Sequence, residues 1–220
     1  MPTMYETIMN LPLFKGVSHD QVSSFLEKTH IKFSKYNPGE IIAERNDPVK
    51  TIKCIISGFT SIKYLITNDG RLSLQETISG EHIIGADRLF GMDTTYNSEI
   101  CAINRVSIME FNKDQYLNLL TTSPIYLLNY LNYLSYQAQK IKSITAFYPY
   151  GSLGNFFKYL LEIYTSRRAT ELRFEFDIPT LCTFTNISHD RIESELAELV
   201  SAGAIEKLST GIRILDKELL

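Results

Sequence analysis

The chain has 220 residues, of which 44% are hydrophobic and 21% are charged, and its formal net charge is −3 at pH 7. This length accommodates one large domain or two small ones, and the composition is ordinary for a soluble globular protein. No apolar run reaches membrane-spanning length, and the first residues lack the basic-then-apolar layout of a signal peptide, so we expect a cytoplasmic protein without membrane contact.

A short helix is the first element that the pattern predicts. Ser18 is followed three residues later by Gln21, which is a capping pair, and Val22, Phe25 and Leu26 then recur on one helical face.

From Phe33 to Phe111 the sequence is typical of many short strands. Runs rich in Ile, Thr, Tyr and Phe, such as 52–56 and 61–66, alternate with turn signals. The turn signals lie at Asn37-Pro38-Gly39, Ser57-Gly58, Asn68-Asp69-Gly70, Ser79-Gly80 and Gly91. This region is therefore predicted to be a β-barrel or jelly-roll.

Three cysteines, Cys54, Cys101 and Cys182, are widely spaced. An odd number at such spacing indicates neither a disulfide framework nor a metal motif, so we expect small buried residues and no metal or cofactor.

A long helix is predicted to begin at Pro124, after a short helix over 113–120, and to run to about Phe147. Its apolar residues fall at alternating steps of four and three, as in the seam of a coiled coil. The seam residues are Leu127, Leu131, Leu134, Ala138, Ile141 and Thr145. Such a seam favours a dimer helix, although a buried core helix remains an alternative. The stretch Tyr148-Pro149-Tyr150-Gly151 then ends the helix as a hinge.

The C-terminal region reads as two helices joined by a tight turn. After a helix capped by Ser152 and a strand over 174–178, a short helix is predicted at 180–184. Asn186 tolerates the left-handed backbone of a sharp turn, and Ser188 can cap a second helix that starts at His189.

Helical periodicity orients that second helix. Ile192, Leu196 and Leu199 repeat on the inner face, which leaves the polar residues from His189 to Ser194 outside. Gly203 ends the helix, and strands over 205–208 and 212–215 form a hairpin. Together these elements predict a winged helix-turn-helix that binds DNA, or else a scaffold module of the same shape.

Charge gives this region no general attraction for nucleic acid. From residue 149 onward eight Lys and Arg stand against eleven Asp and Glu. Affinity for DNA would depend on locally placed cations, each of which could equally be a solvated surface charge. The candidates are Arg167, Arg168, Arg173, Arg191, Lys207 and Arg213.

The order of these elements resembles the Crp/Fnr family of bacterial transcription regulators over nearly the whole chain. Five local motifs carry the resemblance: the segments 11–18, 37–42, 55–59, 187–192 and the lead into the wing, Leu199 with 202–205. The resemblance implies an α+β fold with a cyclic-nucleotide-binding-like sensor domain at 1–123, a dimerisation helix at 124–148 and a winged helix-turn-helix domain at 149–220.

Implied partners are double-stranded DNA, a second copy of the chain, a small effector and, as a possible further partner, RNA polymerase. In such a homodimer the two recognition helices would enter successive major grooves about 34 Å apart. DNA contacts are implied for Ser188, His189, Arg191, Ser194, Lys207 and Arg213. His189 and Ser194 replace favoured arginines of the family, so the operator sequence is not predictable.

The segments 84–91 and 95–100 correspond to the loop that holds the cyclic phosphate in members of this family, called the cassette loop below. This cassette is altered in the present chain. Ala86 follows Gly85 where a glutamate is usual, Tyr96 replaces the arginine that would pair with a cyclic phosphate, and Asn97 replaces a Ser or Thr. A buried anion needs a paired cation, so we expect no binding of cAMP or cGMP in the usual manner. Arg88 could substitute, or could be a solvated or ion-paired residue.

We expect an effector pocket between barrel and long helix, suited to a small polar or aromatic molecule, unless regulation is ligand-free. Its expected residues are Gly85, Ala86, Asp87, Arg88, Tyr96, Asn97, Ser98, Tyr130 and Tyr133.

Other functions are less well supported. The first fifty residues contain no cysteine for an iron–sulfur cluster, and His19, His30 and His82 are lone candidates for a haem ligand. No P-loop, dinucleotide fingerprint, zinc-protease helix or nucleophile elbow occurs, so we expect no enzyme. A sensor or protein-interaction module that has lost DNA binding remains the alternative, because the predicted recognition helix is acidic.

Overall fold

Helices and antiparallel strands both build this protein, whose computed structural model describes residues 3–144 and 151–220. In chain order the elements are α1 (Met4–Asn10), α2 (His19–Lys28), β1 (Lys32–Tyr36), β2 (Ile41–Ala43), β3 (Thr51–Ser57), β4 (Phe59–Leu65), β5 (Leu72–Ser79), β6 (His82–Ile84), β7 (Ser98–Ala102), β8 (Val106–Asn112), α3 (Lys113–Thr122), α4 (Pro124–Ile144), α5 (Leu153–Tyr164), β9 (Ala169–Phe176), α6 (Ile178–Thr185), α7 (His189–Ser201), β10 (Ile205–Leu208) and β11 (Gly211–Ile214), with 3₁₀ turns at Pro12–Phe14 and Ala86–Arg88. The predicted α+β class with an antiparallel, jelly-roll-like β core is confirmed.

These elements form two units. The first contains the residues up to Thr60 and Ser79–Ala138, and the second contains Ser61–Ile78 and Gln139–Leu220. This division differs from the predicted boundaries, because the hairpin 61–78 groups with the C-terminal residues and α4 divides after Ala138. The boundaries at residues 123 and 148 therefore remain predictions.

In the first unit, helices cover one face of an antiparallel sheet whose strand order is β1-β8-β3-β6. Five aromatic rings form the contact. Phe25 lies 5.2 Å from both Phe14 and Phe111, and Phe14 lies 5.7 Å from Tyr126 between ring centroids. Phe111 also packs against Tyr116 at 5.8 Å. Burial of these aromatic rings stabilises the packing of the helices on the sheet.

In the second unit the strand order is β10-β11-β9-β5-β4. Strand β5 pairs with β9 in antiparallel register from Leu72 opposite Phe176 to Ile78 opposite Ala169. The hairpin thereby places Leu72 and Leu74, both fully buried, in one core with Phe157 of α5. Sequence patterning assigned this hairpin to the barrel and did not predict its pairing with β9.

The start of α2 confirms its predicted capping box. The Gln21 backbone N–H donates to Ser18 Oγ at 3.3 Å, and the Ser18 N–H donates to Gln21 Oε1 at 2.9 Å. The same box, with Thr3 and Glu6, begins α1, which the sequence analysis overlooked.

Helix α4 begins at Pro124 as predicted and presents two different faces. Tyr126 and Tyr130 are only 2% and 6% exposed, whereas the seam residues Leu127 and Leu131 are 42% and 49% exposed. Of the other seam residues, Leu134 is half-buried and Ala138 is exposed. The side chain of Ile141, and all of Thr145, Tyr148, Pro149 and Tyr150, lie outside the described residues. One side of the helix thus packs in the core, and the other side carries an exposed apolar stripe.

Burial of the cysteines is only partly as expected. Cys54 is buried, but Cys101 and Cys182 are half-buried. Burial raises the pKa of the Cys54 thiol, which keeps it protonated.

Candidate functional site

The turn between α6 and α7 has the predicted left-handed residue. Asn186 adopts φ 56° and ψ 30°, and Asp177 caps α6 by accepting a hydrogen bond from the Thr180 N–H at 2.7 Å. Because Asp177 is the cap, Ile178 begins the helix and does not extend the preceding strand, which corrects the predicted strand end. Ser188 stands at the N-cap of α7 but its side chain makes no capping hydrogen bond, contrary to expectation.

Helix α7 is amphipathic in the predicted orientation. Ile192 and Leu196 are 0% and 8% exposed, whereas the side chains of His189 and Glu193 are 56% and 63% exposed. The helix ends at Ser201, just before Gly203 at φ 75°, as the sequence predicted.

The hairpin after α7 is fixed to β9 by a close backbone approach. A Cβ on Gly211 would lie 1.9 Å from the Phe174 carbonyl oxygen, so only glycine fits there. Ile212 pairs with Phe174 and Lys207 pairs with Ile212 in the two ladders.

Arg191, an expected base-reading residue, is engaged within its own unit. Its Nε donates to Glu195 Oε1 at 2.7 Å, and its guanidinium also donates to the Gly151 carbonyl at 2.7 Å. Glu195 in turn accepts from the Leu153 N–H at 2.5 Å. The pair therefore ties α7 to the first turn of α5.

Two of the other expected DNA contacts, Arg213 and Ser194, also bond to carboxylates. Arg213 forms ion pairs with Glu171 at 2.9 Å and Glu206 at 2.7 Å. A hydrogen bond from Arg173, followed by the charge of Arg213, holds the pKa of Glu171 below its usual value. Ser194 donates to Glu198 at 3.2 Å, and Lys207 is exposed.

A buried carboxylate within the second unit was not singled out from sequence. Glu76 on β5 is only 1% exposed and accepts hydrogen bonds from Tyr64 Oη at 2.9 Å and from the Ser166 N–H at 2.7 Å. Burial raises its pKa, opposed by these donors and by the charges of Lys140 and Lys217. Lys140 Nζ donates to the Thr165 carbonyl at 2.5 Å, and burial lowers its pKa. One polar cluster thus joins the hairpin, α4 and the turn before β9.

In the first unit, the altered cassette is closed around Gly85. Tyr96 is 5% exposed, and a Cβ on Gly85, whose φ is 71°, would lie 2.8 Å from Tyr96 Cε1. The tyrosine ring therefore packs directly on Gly85, where the resemblance implied a cyclic-phosphate site. Asn97 is exposed and Ser98 is buried.

Arg88 is paired inside the cassette loop. Its Nη1 lies 2.5 Å from Asp93 Oδ2 and its Nε lies 3.9 Å from Asp87. This arginine is thus ion-paired, which is one of the two alternatives that the sequence left open.

Of the two α4 tyrosines that were expected to line a pocket, Tyr130 is buried against the loop and Tyr133 is half-buried. Tyr130 Oη donates to the Ala86 carbonyl at 3.1 Å, and its ring meets Phe90 edge-on at 5.8 Å. Burial raises the pKa of Tyr133 as well, so its hydroxyl stays protonated. Tyr130 thus joins α4 to the loop, and an effector pocket at this place remains a prediction.

A cavity of about 570 Å³ lies elsewhere in the first unit. Of the expected pocket residues, Tyr96 lines it, and the rest of its wall comes mainly from β1, β3, β8 and the segment 42–50. Its charged residues are Lys32, Asp47, Lys50, Lys53 and Glu110. Sequence analysis missed these residues, because alternate polar positions in short strands carry no indication of which face is enclosed.

The histidines considered as haem ligands have other contacts. Both ring nitrogens of His82 lie 2.9 Å from hydrogen-bonding partners, Thr60 Oγ1 and the Gly80 carbonyl, and His19 stacks on Tyr5 at 4.2 Å. His30 lines the cavity. None of the helices described for residues 3–144 and 151–220 combines the length and the apolar character that a bilayer crossing requires.

Comparisons with known proteins cover both parts of the chain. Residues 33–123 match the cyclic nucleotide-binding domain family. The catabolite activator protein of Thermus thermophilus is 15% identical with a TM-score of 0.54, over 94% of this chain and 95% of that chain. The c-di-GMP responsive global regulator CLP of Xanthomonas campestris is 16% identical with a TM-score of 0.54, over 90% of this chain and 99% of that chain.

A third match is confined to one end of the fold. The N-terminal domain of a transcriptional regulator from Streptomyces coelicolor is 16% identical with a TM-score of 0.52, over 66% of this chain and 99% of that chain. A comparison with curated protein sequences finds no match. At identities this low, structural likeness establishes the fold.

Proposed function

We propose that this chain, which carries a cyclic nucleotide-binding domain at residues 33–123 and has the fold of Crp/Fnr-type regulators, is a dimeric transcription regulator. It binds double-stranded DNA and responds to a small effector other than cAMP. It acts without catalysis in the bacterial cytoplasm, with RNA polymerase as a possible further partner. The proposed domains are the sensor at 1–123, the dimer helix at 124–148 and the winged helix-turn-helix at 149–220.

The observation that carries the proposal is the geometry of α6, Asn186 and α7 with the following hairpin. In a winged helix-turn-helix the second helix enters the major groove and the hairpin contacts the backbone beside it. Here α7 packs through Ile192 and Leu196 and leaves His189 and Glu193 outside, as a groove-reading helix requires. The proposed contacts remain Ser188, His189, Arg191, Ser194, Lys207 and Arg213.

Dimerisation is supported by the outer face of α4. Leu127 and Leu131 are nearly half exposed, and they are spaced as in a two-helix seam with Leu134 and Ala138. A second copy supplies the same stripe, so one packing buries both.

An effector other than cAMP follows from the cassette. A cyclic phosphate at Gly85 would meet the ring of Tyr96 and would find Arg88 already paired with Asp93. The Xanthomonas neighbour is itself described as c-di-GMP responsive, so this fold accommodates signals besides cAMP.

Charge reversal on α7 tests DNA binding directly. We expect Glu193→Lys to tighten binding to the duplex upstream of the protein's own gene by on the order of tenfold at low salt, because it replaces repulsion from phosphates by attraction. Glu27→Lys on the exposed surface of α2 changes the net charge equally and is the matched control. Gel shift at several salt concentrations measures both, and sedimentation of the unmodified protein measures its dimerisation.

The proposal is contradicted if no duplex binds at any salt concentration and the two variants behave alike. Equal tightening by both would indicate only a general effect of charge. A change confined to Glu193→Lys would place α7 at the DNA.

A second function is favoured by the ion pairs of the expected DNA contacts. Arg191 is held by Glu195 and Gly151, and Arg213 by Glu171 and Glu206. A sensor or protein-interaction module that has lost DNA binding would keep such pairs at all times. It predicts no gel shift for the unmodified chain together with intact dimerisation.

A further inference from the structure

The cavity in the first unit has the volume of a small-molecule site. Its size of about 570 Å³ falls within the range of about 300–1,000 Å³ that ligand pockets occupy. It lies among strands of the cyclic nucleotide-binding domain, yet its charged groups come from β1, β3, β8 and the segment 47–50 and not from the cassette loop. Its chemistry therefore differs from that of a cyclic phosphate site.

Lysines dominate the charge of the wall. Lys32, Lys50 and Lys53 line it together with two carboxylates, Glu110 and Asp47. Lys50 is exposed and forms no ion pair with any residue in the described ranges. The wall thus has an excess of ammonium groups.

Glu110 has already satisfied its hydrogen-bonding capacity. It accepts from Lys53 Nζ at 2.7 Å and Thr51 Oγ1 at 3.3 Å, and it pairs with Lys32 Nζ at 3.1 Å. Each ammonium group has three N–H donors, so Lys32 and Lys53 keep donors for another acceptor.

One donor in the wall is buried and unused. Tyr96 lines the cavity, and its hydroxyl is buried without a hydrogen-bond partner among the described residues. Burial, and then the charge of Glu110, raise its pKa to about 12, so the hydroxyl keeps its proton at neutral pH. Buried polar groups almost always have a partner, so an unused donor in a cavity wall indicates an acceptor that arrives with a ligand.

We propose that this cavity binds a small organic anion. Its carboxylate or phosphate group pairs with Lys32, Lys50 and Lys53, and a second acceptor takes the hydrogen bond of Tyr96. Because the Tyr96 ring packs on Gly85, occupancy bears directly on the cassette loop. The effect of this ligand on DNA affinity rests on the proposed function, whereas the binding itself does not.

Calorimetric titration of the full chain with four probes tests the site. Benzoate and succinate represent carboxylates, inorganic phosphate represents the phosphate alternative, and benzamide is the uncharged counterpart of benzoate. We expect at least one of the three anions to bind with millimolar or tighter affinity. If benzoate is that anion, benzamide should bind at least about tenfold more weakly than benzoate.

Variants locate the site. Lys50→Gln and Tyr96→Phe should each weaken the bound anion about fivefold or more, with Lys35→Gln as the matched control. Lys35 also lies on β1 and is exposed, but does not line the cavity. Thermal unfolding of each variant verifies that it is folded.

Absence of binding by all three anions overturns the inference, as does equal weakening by Lys50→Gln and Lys35→Gln. Preference for phosphate or for a carboxylate identifies the ligand class. Anion binding by a chain that never shifts DNA leaves the site standing and refutes only the proposed regulator.

Discussion

Among the described residues, each unit buries one glutamate on a β-strand, and the two glutamates differ in whether a cation contacts them directly. Glu110 in the first unit is 6% exposed and directly contacts two lysines. Glu76 in the second unit is 1% exposed and accepts hydrogen bonds from a hydroxyl and a backbone amide. Burial would raise both pKa values, but Lys53 and Lys32 outweigh it at Glu110, whose pKa is lowered, whereas burial prevails at Glu76.

The difference shows what an ionic partner does for a buried carboxylate. A directly paired group stays charged and keeps its lysines charged, which suits a wall that binds ions. A group held by neutral donors changes its charge more readily, which suits a contact that must form and release. Glu76 belongs to the hairpin 61–78, which lies within the matched cyclic nucleotide-binding domain, and one of its partners, Ser166, precedes β9.

Truncation of the two glutamates should separate them most strongly. We expect Glu76→Ala to lower the free energy of unfolding by about 3 kcal/mol, because Tyr64 and the Ser166 amide lose a buried acceptor and Lys140 loses a nearby negative charge. Glu110→Ala should cost about 2 kcal/mol, because Lys53, whose side chain is 14% exposed, loses its partner, whereas Lys32 is 69% exposed and can return to water. Urea denaturation measures both. A larger loss at Glu110 would contradict the comparison.

The pH dependence of stability should have opposite signs at the two sites. Between the ordinary glutamate pKa of about 4.3 and the raised pKa of Glu76, the folded state binds more protons than the unfolded chain. The contribution of Glu76 to stability therefore falls as pH rises through that window. Glu110, with its lowered pKa, contributes stability that is present above about pH 4.3 and is lost as pH falls through its folded pKa.

Amide variants isolate these contributions. In Glu76→Gln, the free energy of unfolding should fall less steeply than in the unmodified protein as pH rises above the weakly acidic range. In Glu110→Gln, it should fall less steeply as pH is lowered into the acid range. Denaturant midpoints measured across pH 3–8 give both slopes. The groups that face Glu76 are Tyr64, the Ser166 amide, Lys140 and Lys217. Identical slopes for the two variants would remove the distinction.

Local signals in the sequence predicted the elements of the second unit well. The spacing of Ile192 and Leu196 oriented α7, and Asn186 marked the turn, because both depend on residues a few positions apart. Ser18 and Gln21 likewise predicted the start of α2.

Long-range contacts explain what the sequence could not predict. Glu76 follows Leu72 and Leu74 at alternate positions of a strand, so the alternation indicates that its side chain is on the buried face. One of its hydrogen-bond donors, Ser166, is ninety residues away along the chain, so this contact could not be predicted. The pairing of β5 with β9 and the packing of Tyr96 on Gly85 depend on register and loop closure in the same way. The closed cassette and the lysine-lined cavity follow from those contacts.

Removal of single hydroxyl donors gives the smallest and most specific test. Tyr64→Phe keeps the ring, whose centroid lies 5.2 Å from that of Tyr164, and deletes the 2.9 Å hydrogen bond to Glu76. We expect a loss of about 1 kcal/mol in the free energy of unfolding and a further rise in the pKa of Glu76. Thr51→Val deletes a longer contact to Glu110, 3.3 Å, and should cost less, because Lys53 and Lys32 continue to hold the carboxylate. Equal losses at neutral pH would mean that the lysines do not decide the state of Glu110, and the contrast between the two carboxylates would then lie in burial alone.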